Sequence, residues 1–230
     1  MKQKIYGVVP PISTPIDEHE HVDEKALRKL IDHCIDKGLH GIFVCGTNGE
    51  CLGLTQAERN RAIKITLDQV AGRVPVLVGV TDTSLDESVK LAAHAAKCGA
   101  VAVVAAAPYY FAPSQQELIE YYTALADALP LPLFLYNMPS HVKVFLEPAT
   151  VKTLAEHPNI VGLKDSSANM TYFQTLLYHL GDREDFALYV GPEELTGESV
   201  VMGADGGVNG GANIFPELYV AMYDAACAHD

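Results

Sequence analysis

The 230-residue sequence is short of positive charge: 16 lysines and arginines stand against 29 aspartates and glutamates, a formal net charge of −13. Such a surface repels phosphate backbones and anionic headgroups alike, so neither nucleic acid nor membrane is expected as a partner, and an anionic substrate must be held by local donors. Long hydrophobic runs are missing as well. The longest apolar stretch, Ala100 to Pro108, falls far short of the ~20 residues that a membrane-spanning helix needs. The amino-terminal MKQKIYGVVPPIST has only a brief apolar stretch before Pro10 and Pro11, so no signal-peptide core is expected. No CxxC pair occurs, and the cysteines (Cys34, Cys45, Cys51, Cys98 and Cys227) are odd in number, which suits free, buried thiols in a reducing cytoplasm better than a disulfide framework. The histidines form no HExxH and no Cys/His cluster with zinc spacing, so no metal site is expected. The turn after the first apolar run reads VVPPISTP instead of GxGxxG, which argues against a dinucleotide-binding sheet.

What the chain does have is alternation. Short apolar runs at Ile5–Val9, Ile42–Cys45, Val74–Val80, Val101–Ala105, Leu131–Tyr136, Ile160–Lys164, Ala187–Val190 and Gly206–Asn209 read as strands. Helical stripes lie between them: Leu27, Leu30, Ile31 and Cys34 in one case, Phe173, Leu176, Leu177 and Leu180 in another, both with i, i+3, i+4, i+7 spacing. Three S/T-x-x-E pairs, Thr55 with Glu58, Ser84 with Glu87 and Ser114 with Glu117, predict capping boxes at helix starts. Strands apolar on both faces and joined by helices imply a parallel sheet covered by helices, and eight βα units favour closure into a (β/α)8 TIM barrel. No linker or low-complexity segment interrupts the series, so residues 1–230 are expected to form one barrel domain.

One residue fits this pattern badly. In NIVGLKDSS, Lys164 follows Ile160, Val161 and Leu163 in a strand expected to be buried on both faces. A buried ammonium must find a counter-ion, reach the surface or give up its proton, and the last option makes it a nucleophile. Asp165 and Glu193 are the candidate counter-ions, although alternation along a strand points Asp165 the other way. In a barrel, Thr47, Tyr136 and Lys164 all fall at strand ends and converge on one mouth. Other readings stay open: Tyr136 as a core tyrosine, Tyr109 and Tyr110 as rim aromatics, Gly46 and Gly49 as a tight turn whose amides, with those of Thr47 and Asn48, suit a carboxylate, and Gly206–Gly211 as a phosphate loop.

Five ordered segments, GTNGE (46–50), PYY (108–110), YNMP (136–139), GLKDSS (162–167) and GGVNGGAN (206–213), resemble the dihydrodipicolinate synthase/N-acetylneuraminate lyase family over essentially the whole chain. The resemblance implies a pyruvate-dependent class I aldolase or lyase: Lys164 as Schiff-base nucleophile, Tyr136 as proton-transfer group, Thr47 as its relay and Tyr110 offered to a neighbouring subunit. It implies a keto-acid pocket built by Thr47, Asn48, Gly191 and Val208, an aldehyde as second substrate, no cofactor beyond the covalent imine, and a cytoplasmic homo-oligomer, a dimer or a tetramer. Two departures bear on specificity. His141 stands where the synthase branch usually has arginine, and Asn48 replaces a second hydroxyl residue. The chain also ends just after the helix following the eighth strand, without the family's usual carboxyl-terminal helical segment. The alternatives are an N-acetylneuraminate lyase or 2-keto-3-deoxy sugar-acid aldolase or dehydratase, and, from another class, a non-catalytic keto-acid-binding protein.

Overall fold

The eight apolar runs all form strands, mostly trimmed at their ends, in a computed structural model that describes residues 4–229. The ends of the expected 1–230 domain, residues 1–3 and 230, lie outside the described residues. The strands are β1 (Gly7–Val8), β2 (Ile42–Val44), β3 (Val76–Gly79), β4 (Ala102–Ala106), β5 (Leu133–Asn137), β6 (Ile160–Asp165), β7 (Ala187–Val190) and β8 (Gly206–Gly207). Helices α1 (Glu24–Asp36), α2 (Gln56–Val70), α3 (Leu85–Cys98), α4 (Gln115–Ala128), α5 (Pro139–Val142), α6 (Pro148–Ala155), α7 (Met170–Leu180), α8 (Thr196–Val201) and α9 (Pro216–Ala228) alternate with them.

All strand pairings are parallel, and the sheet runs from β1 through β8, β7, β6, β5, β4 and β3 to β2. The ring closes where the chain after β1 meets β2. There the Phe43 amide donates to the Pro10 carbonyl at 2.9 Å and the Ile12 amide to the Phe43 carbonyl at 2.8 Å, around a parallel bridge between Pro11 and Phe43. Two prolines are tolerated in this edge because the bonds use a carbonyl and the Ile12 N–H, never a prolyl N–H. The result is the expected (β/α)8 barrel.

The helices form for the reasons legible in their sequences. Asp23 caps α1 by accepting from the Ala26 amide, and Leu27, Ile31 and Cys34 bury its apolar stripe. Thr55, Ser84 and Ser114 cap α2, α3 and α4 as expected, but only Ser114 and Glu117 bond reciprocally. The other two glutamates have better offers: Glu58 accepts from the Val22 amide at 2.7 Å, and Glu87 takes Lys90 at 2.8 Å. No helix among the described residues is long and apolar enough to cross a membrane.

The irregularity that matters for the site lies between β5 and β6. Leu133 pairs with Ile160, but the next pair is Phe134 with Gly162, so Val161 is an extra residue in β6. Such a bulge shifts everything beyond it by one position, and in a sheet that decides which face a side chain takes. Above it, Leu135 pairs with Leu163, Tyr136 with Lys164 and Asn137 with Asp165. Glycine is required at 162 because a Cβ there would collide with the Phe134 ring and lie 2.6 Å from the Ala187 carbonyl oxygen. Gly162→Ala should therefore destabilise the fold by about 1–3 kcal/mol through overpacking. Thermal unfolding followed by circular dichroism should show a midpoint lower by roughly 2–12 °C; an unchanged midpoint would show that the neighbours move aside without cost.

Candidate active site

The carboxyl ends of the strands enclose a cavity of about 420 Å³, within the size range of small-molecule sites. Thr47, Glu50, Thr81, Tyr109, Tyr136 and His141 contribute to its lining. A larger cavity of about 720 Å³ opens at the opposite end of the barrel, where Lys4 and Asp205 pair at 3.0 Å. It lies away from the βα loops that furnish active sites in this architecture, so the chemistry is sought at the mouth.

Tyr136 and Lys164 face each other across β5 and β6 and point into the barrel, where both are buried. Lys164 Nζ lies 4.2 Å from the centre of the Tyr136 ring and 5.3 Å from that of Phe43. The faces of these rings carry partial negative charge, which suits an ammonium out of water. Neither expected counter-ion serves it. The Asp165 carboxylate accepts from Asn137 Nδ2, the Ser167 amide and Ser167 Oγ, and Glu193 accepts from the Gly211 amide. Among the described residues no carboxylate comes within ion-pair distance of Lys164.

The Tyr136 phenol oxygen lies 3.3 Å from Thr47 Oγ1. Burial raises the pKa of this phenol, but the positive charge of Lys164, the hydrogen bond with Thr47 and the polar neighbours Ser166 and Lys164 outweigh it, so the net shift is downward. Tyr136 thus releases its proton more readily than an ordinary tyrosine.

Thr47 owes its position to an unusual turn. Cys45, at the end of β2, has a φ of 58°, and Gly79 on β3 leaves room for its carbonyl where a Cβ would collide. Beyond it, the amide of Glu50 donates to the Thr47 carbonyl at 2.9 Å, while the amides of Thr47 and Asn48 have no acceptor among the described residues. The Asn48 side chain packs against Gly210 in the loop after β8. His141 Nδ1 lies 2.9 Å from Ser140 Oγ at the cavity edge.

The remaining expected site residues are distributed unevenly. Gly191 follows β7, its amide donating to the Asp165 carbonyl at 2.7 Å, and Val208 lines a small void of about 20 Å³ beneath the mouth together with Lys164. Tyr110 is not brought to Lys164 within the chain: it is 77 % exposed, edge-on to Phe111, which is 80 % exposed. Its neighbour Tyr109 takes the cavity wall instead. The phosphate-loop reading of the glycine cluster fits poorly, since a carboxylate, Glu193, already occupies the Gly211 amide. Three features of the site are not evident from the sequence: Ser166 beside Tyr136, Thr81 at the end of β3, whose hydroxyl accepts from the Ala106 amide at 2.9 Å, and the Asn137–Asp165 bridge. A polar residue closing β3 is the one local signal that points to Thr81.

The model of the dihydrodipicolinate synthetase family matches residues 4–230. The chain belongs to that family. It superimposes on the structure of dihydrodipicolinate synthase from Bacteroides thetaiotaomicron with a TM-score of 0.96 at 53 % identity, over 100 % of this chain and 77 % of that one. A dihydrodipicolinate synthase from Acinetobacter baumannii, solved in complex with pyruvate, has a TM-score of 0.94 at 35 % identity, covering 99 % of this chain and 77 % of that one. A curated relative, the probable 2-dehydro-3-deoxy-D-pentonate aldolase of Escherichia coli, is 37 % identical over 97 % of this chain and 75 % of its own length. The chain therefore spans about three-quarters of these family members.

The geometry makes the Tyr136 ionisation measurable. Ultraviolet difference titration of the protein against Tyr136→Phe should show one tyrosine ionising below the ordinary range. In Lys164→Met the burial remains while the neighbouring charge is lost, so that ionisation should move to higher pH; no movement would assign the shift to hydrogen bonds alone.

Proposed function

We propose that this chain is a Schiff-base lyase or aldolase that condenses pyruvate with an aldehyde, or cleaves a 2-keto-4-hydroxy acid by the reverse steps. The observation that carries the reading is the buried Lys164, without a carboxylate partner among the described residues and set 4.2 Å from the ring centre of Tyr136, a residue that lines the mouth cavity. The unprotonated amine of Lys164 attacks the keto carbon, and the resulting carbinolamine loses water to give an iminium. Removal of a methyl proton leaves an enamine, whose carbon attacks the aldehyde. Hydrolysis then releases the product and restores the lysine. The iminium takes up the electron pair, so the reading requires no metal or dissociable cofactor.

Tyr136 and Thr47 move protons in this scheme, their oxygens lying 3.3 Å apart. The unengaged amides of Thr47 and Asn48 receive the keto-acid carboxylate, with Gly191 and Val208 along the remaining wall. Tyr110, exposed with Phe111, contributes in a homo-oligomer by crossing to a second copy. The free cysteines suit a cytoplasmic enzyme.

The mouth favours a hydroxylated aldehyde. Among the described residues its lining contains no lysine or arginine and includes Glu50, Thr81, Ser140 and His141. A neutral imidazole offers one donor and one acceptor, where arginine offers a charged fork suited to a second carboxylate.

Borohydride reduction in the presence of pyruvate should add one pyruvyl unit at Lys164, located by mass spectrometry after digestion. An adduct at another lysine, or one that survives Lys164→Ala, rules the assignment out and leaves the keto-acid-binding alternative. Tyr136→Phe should still trap pyruvate while turnover falls by roughly 10²–10⁴-fold. On a panel of aldehydes, kcat/KM should be higher for hydroxyaldehydes than for aspartate semialdehyde. His141→Arg should narrow that gap by about 10–150-fold, the worth of a charge-assisted hydrogen bond. A native preference for aspartate semialdehyde that His141→Arg leaves unchanged would favour the synthase activity instead.

A further inference from the structure

The Val161 bulge leaves β5 and β6 with two registers, one below it and one above, and only the upper one sets Tyr136 opposite Lys164. Continued from below, the lower register would pair Tyr136 with Leu163 and Asn137 with Lys164. Something above the bulge has to favour the shifted pairing. We propose that Asn137 and Asp165 are positioning residues, a buried side-chain bridge that keeps Tyr136 and Lys164 facing each other; the proposal rests on the Schiff-base reading, in which those two side chains act.

Each follows directly after a proposed reactive residue, so its side chain leaves the opposite face of the strand, toward the surrounding helices. Both are almost wholly buried, at 1 % exposure. Asn137 Nδ2 donates to Asp165 Oδ1 at 2.8 Å, and Asn137 Oδ1 accepts from the Leu146 amide at 3.1 Å. The Ser167 amide and hydroxyl donate to the two carboxylate oxygens at 3.1 and 2.9 Å. Backbone bonds continue the clamp: the Ser166 amide donates to the Asn137 carbonyl at 2.8 Å, and the Gly191 amide to the Asp165 carbonyl at 2.7 Å.

A carboxylate buried here, with no cationic partner among the described residues, is an expensive way to fill space, since an apolar pair of similar volume would pack at lower cost. Its return is specificity. The bridge forms only when Asn137 stands opposite Asp165, which is the register that aligns the reactive pair one residue earlier. Polar groups buried within an apolar interface are known to select one register in this way.

The test uses pyruvate alone and reads two steps. Trapping at Lys164 by borohydride reports imine formation, and exchange of the pyruvate methyl protons for deuterium, followed by NMR, reports proton transfer. Asn137→Asp sets two carboxyl groups against each other, whereas Asn137→Asp combined with Asp165→Asn restores one amide facing one carboxylate with the roles reversed. Exchange per folded molecule should fall on the order of 10²-fold in the single variant, as expected for a misplaced reactive group, and should largely recover in the double variant. Should the single variant not fold, Asn137→Ser, too short to span to Asp165, poses the same question. A folded variant lacking the bridge that exchanges at the native rate overturns the proposal, as does a double variant with a native melting temperature but no recovery. A purely structural role lowers the melting temperature and leaves exchange per folded molecule intact. If the native protein itself takes no adduct at Lys164, the Schiff-base reading has failed; an intact adduct with unmoved exchange fails the bridge alone.

Discussion

A parallel pair of strands at the far side of the barrel from its seam sets the geometry on which the mouth depends. From Phe134 opposite Gly162 upward, β5 and β6 pair without interruption, and two residues later this pairing brings a tyrosine and a lysine side by side in the interior. Parallel ladders carry no hairpin to fix their alignment, so register must come from side-chain fit and local irregularity. Here the bulge at Val161 and the missing side chain at Gly162 make room for the shifted alignment, the glycine admitting the Phe134 ring and the Ala187 carbonyl from the next strand. Every contact of Lys164 with Tyr136 follows from that alignment.

Electrostatics then differentiate two adjacent buried groups. Lys164 faces the Tyr136 and Phe43 rings, and among the described residues its nitrogen has no carboxylate within ion-pair distance. Tyr136 gains what Lys164 provides: a positive neighbour that lowers a phenol pKa which burial alone would raise. On the other face of the same strand, Asp165 has the opposite fate, with burial raising its carboxyl pKa despite the hydrogen bonds from Asn137 and Ser167. Consecutive residues thus experience unlike surroundings because the strand alternates, not because the sequence around them changes.

The acidic surplus of the whole chain coexists with unpaired backbone donors at one turn of the mouth. Backbone amides at the Thr47–Asn48 turn, which have no acceptor among the described residues, are donors that do not depend on net charge, and the turn follows a left-handed Cys45 whose carbonyl is accommodated by Gly79 on β3. The aromatic pair Tyr110 and Phe111 stands outside that enclosure, exposed and packed edge-on against each other.

Much of this is legible in the amino-acid sequence alone. The eight strands, the helix caps at Thr55, Ser84 and Ser114, and the oddity of a lysine at 164 are statements about local pattern and residue chemistry, and those survive folding because propensity, capping and alternation act over a few residues. The convergence of Thr47, Tyr136 and Lys164 follows from their places at strand ends once eight βα units close into a barrel. The tertiary structure decided the rest. It closed the ring through Pro10 and Ile12, redirected Glu58 and Glu87 from their caps to other partners, put Tyr109 rather than Tyr110 on the cavity wall, and set an asparagine against an aspartate one residue beyond Tyr136 and Lys164. Those outcomes depend on which distant segments meet and in what register, and such a choice is settled by the sum of many non-local contacts that no short stretch of sequence contains.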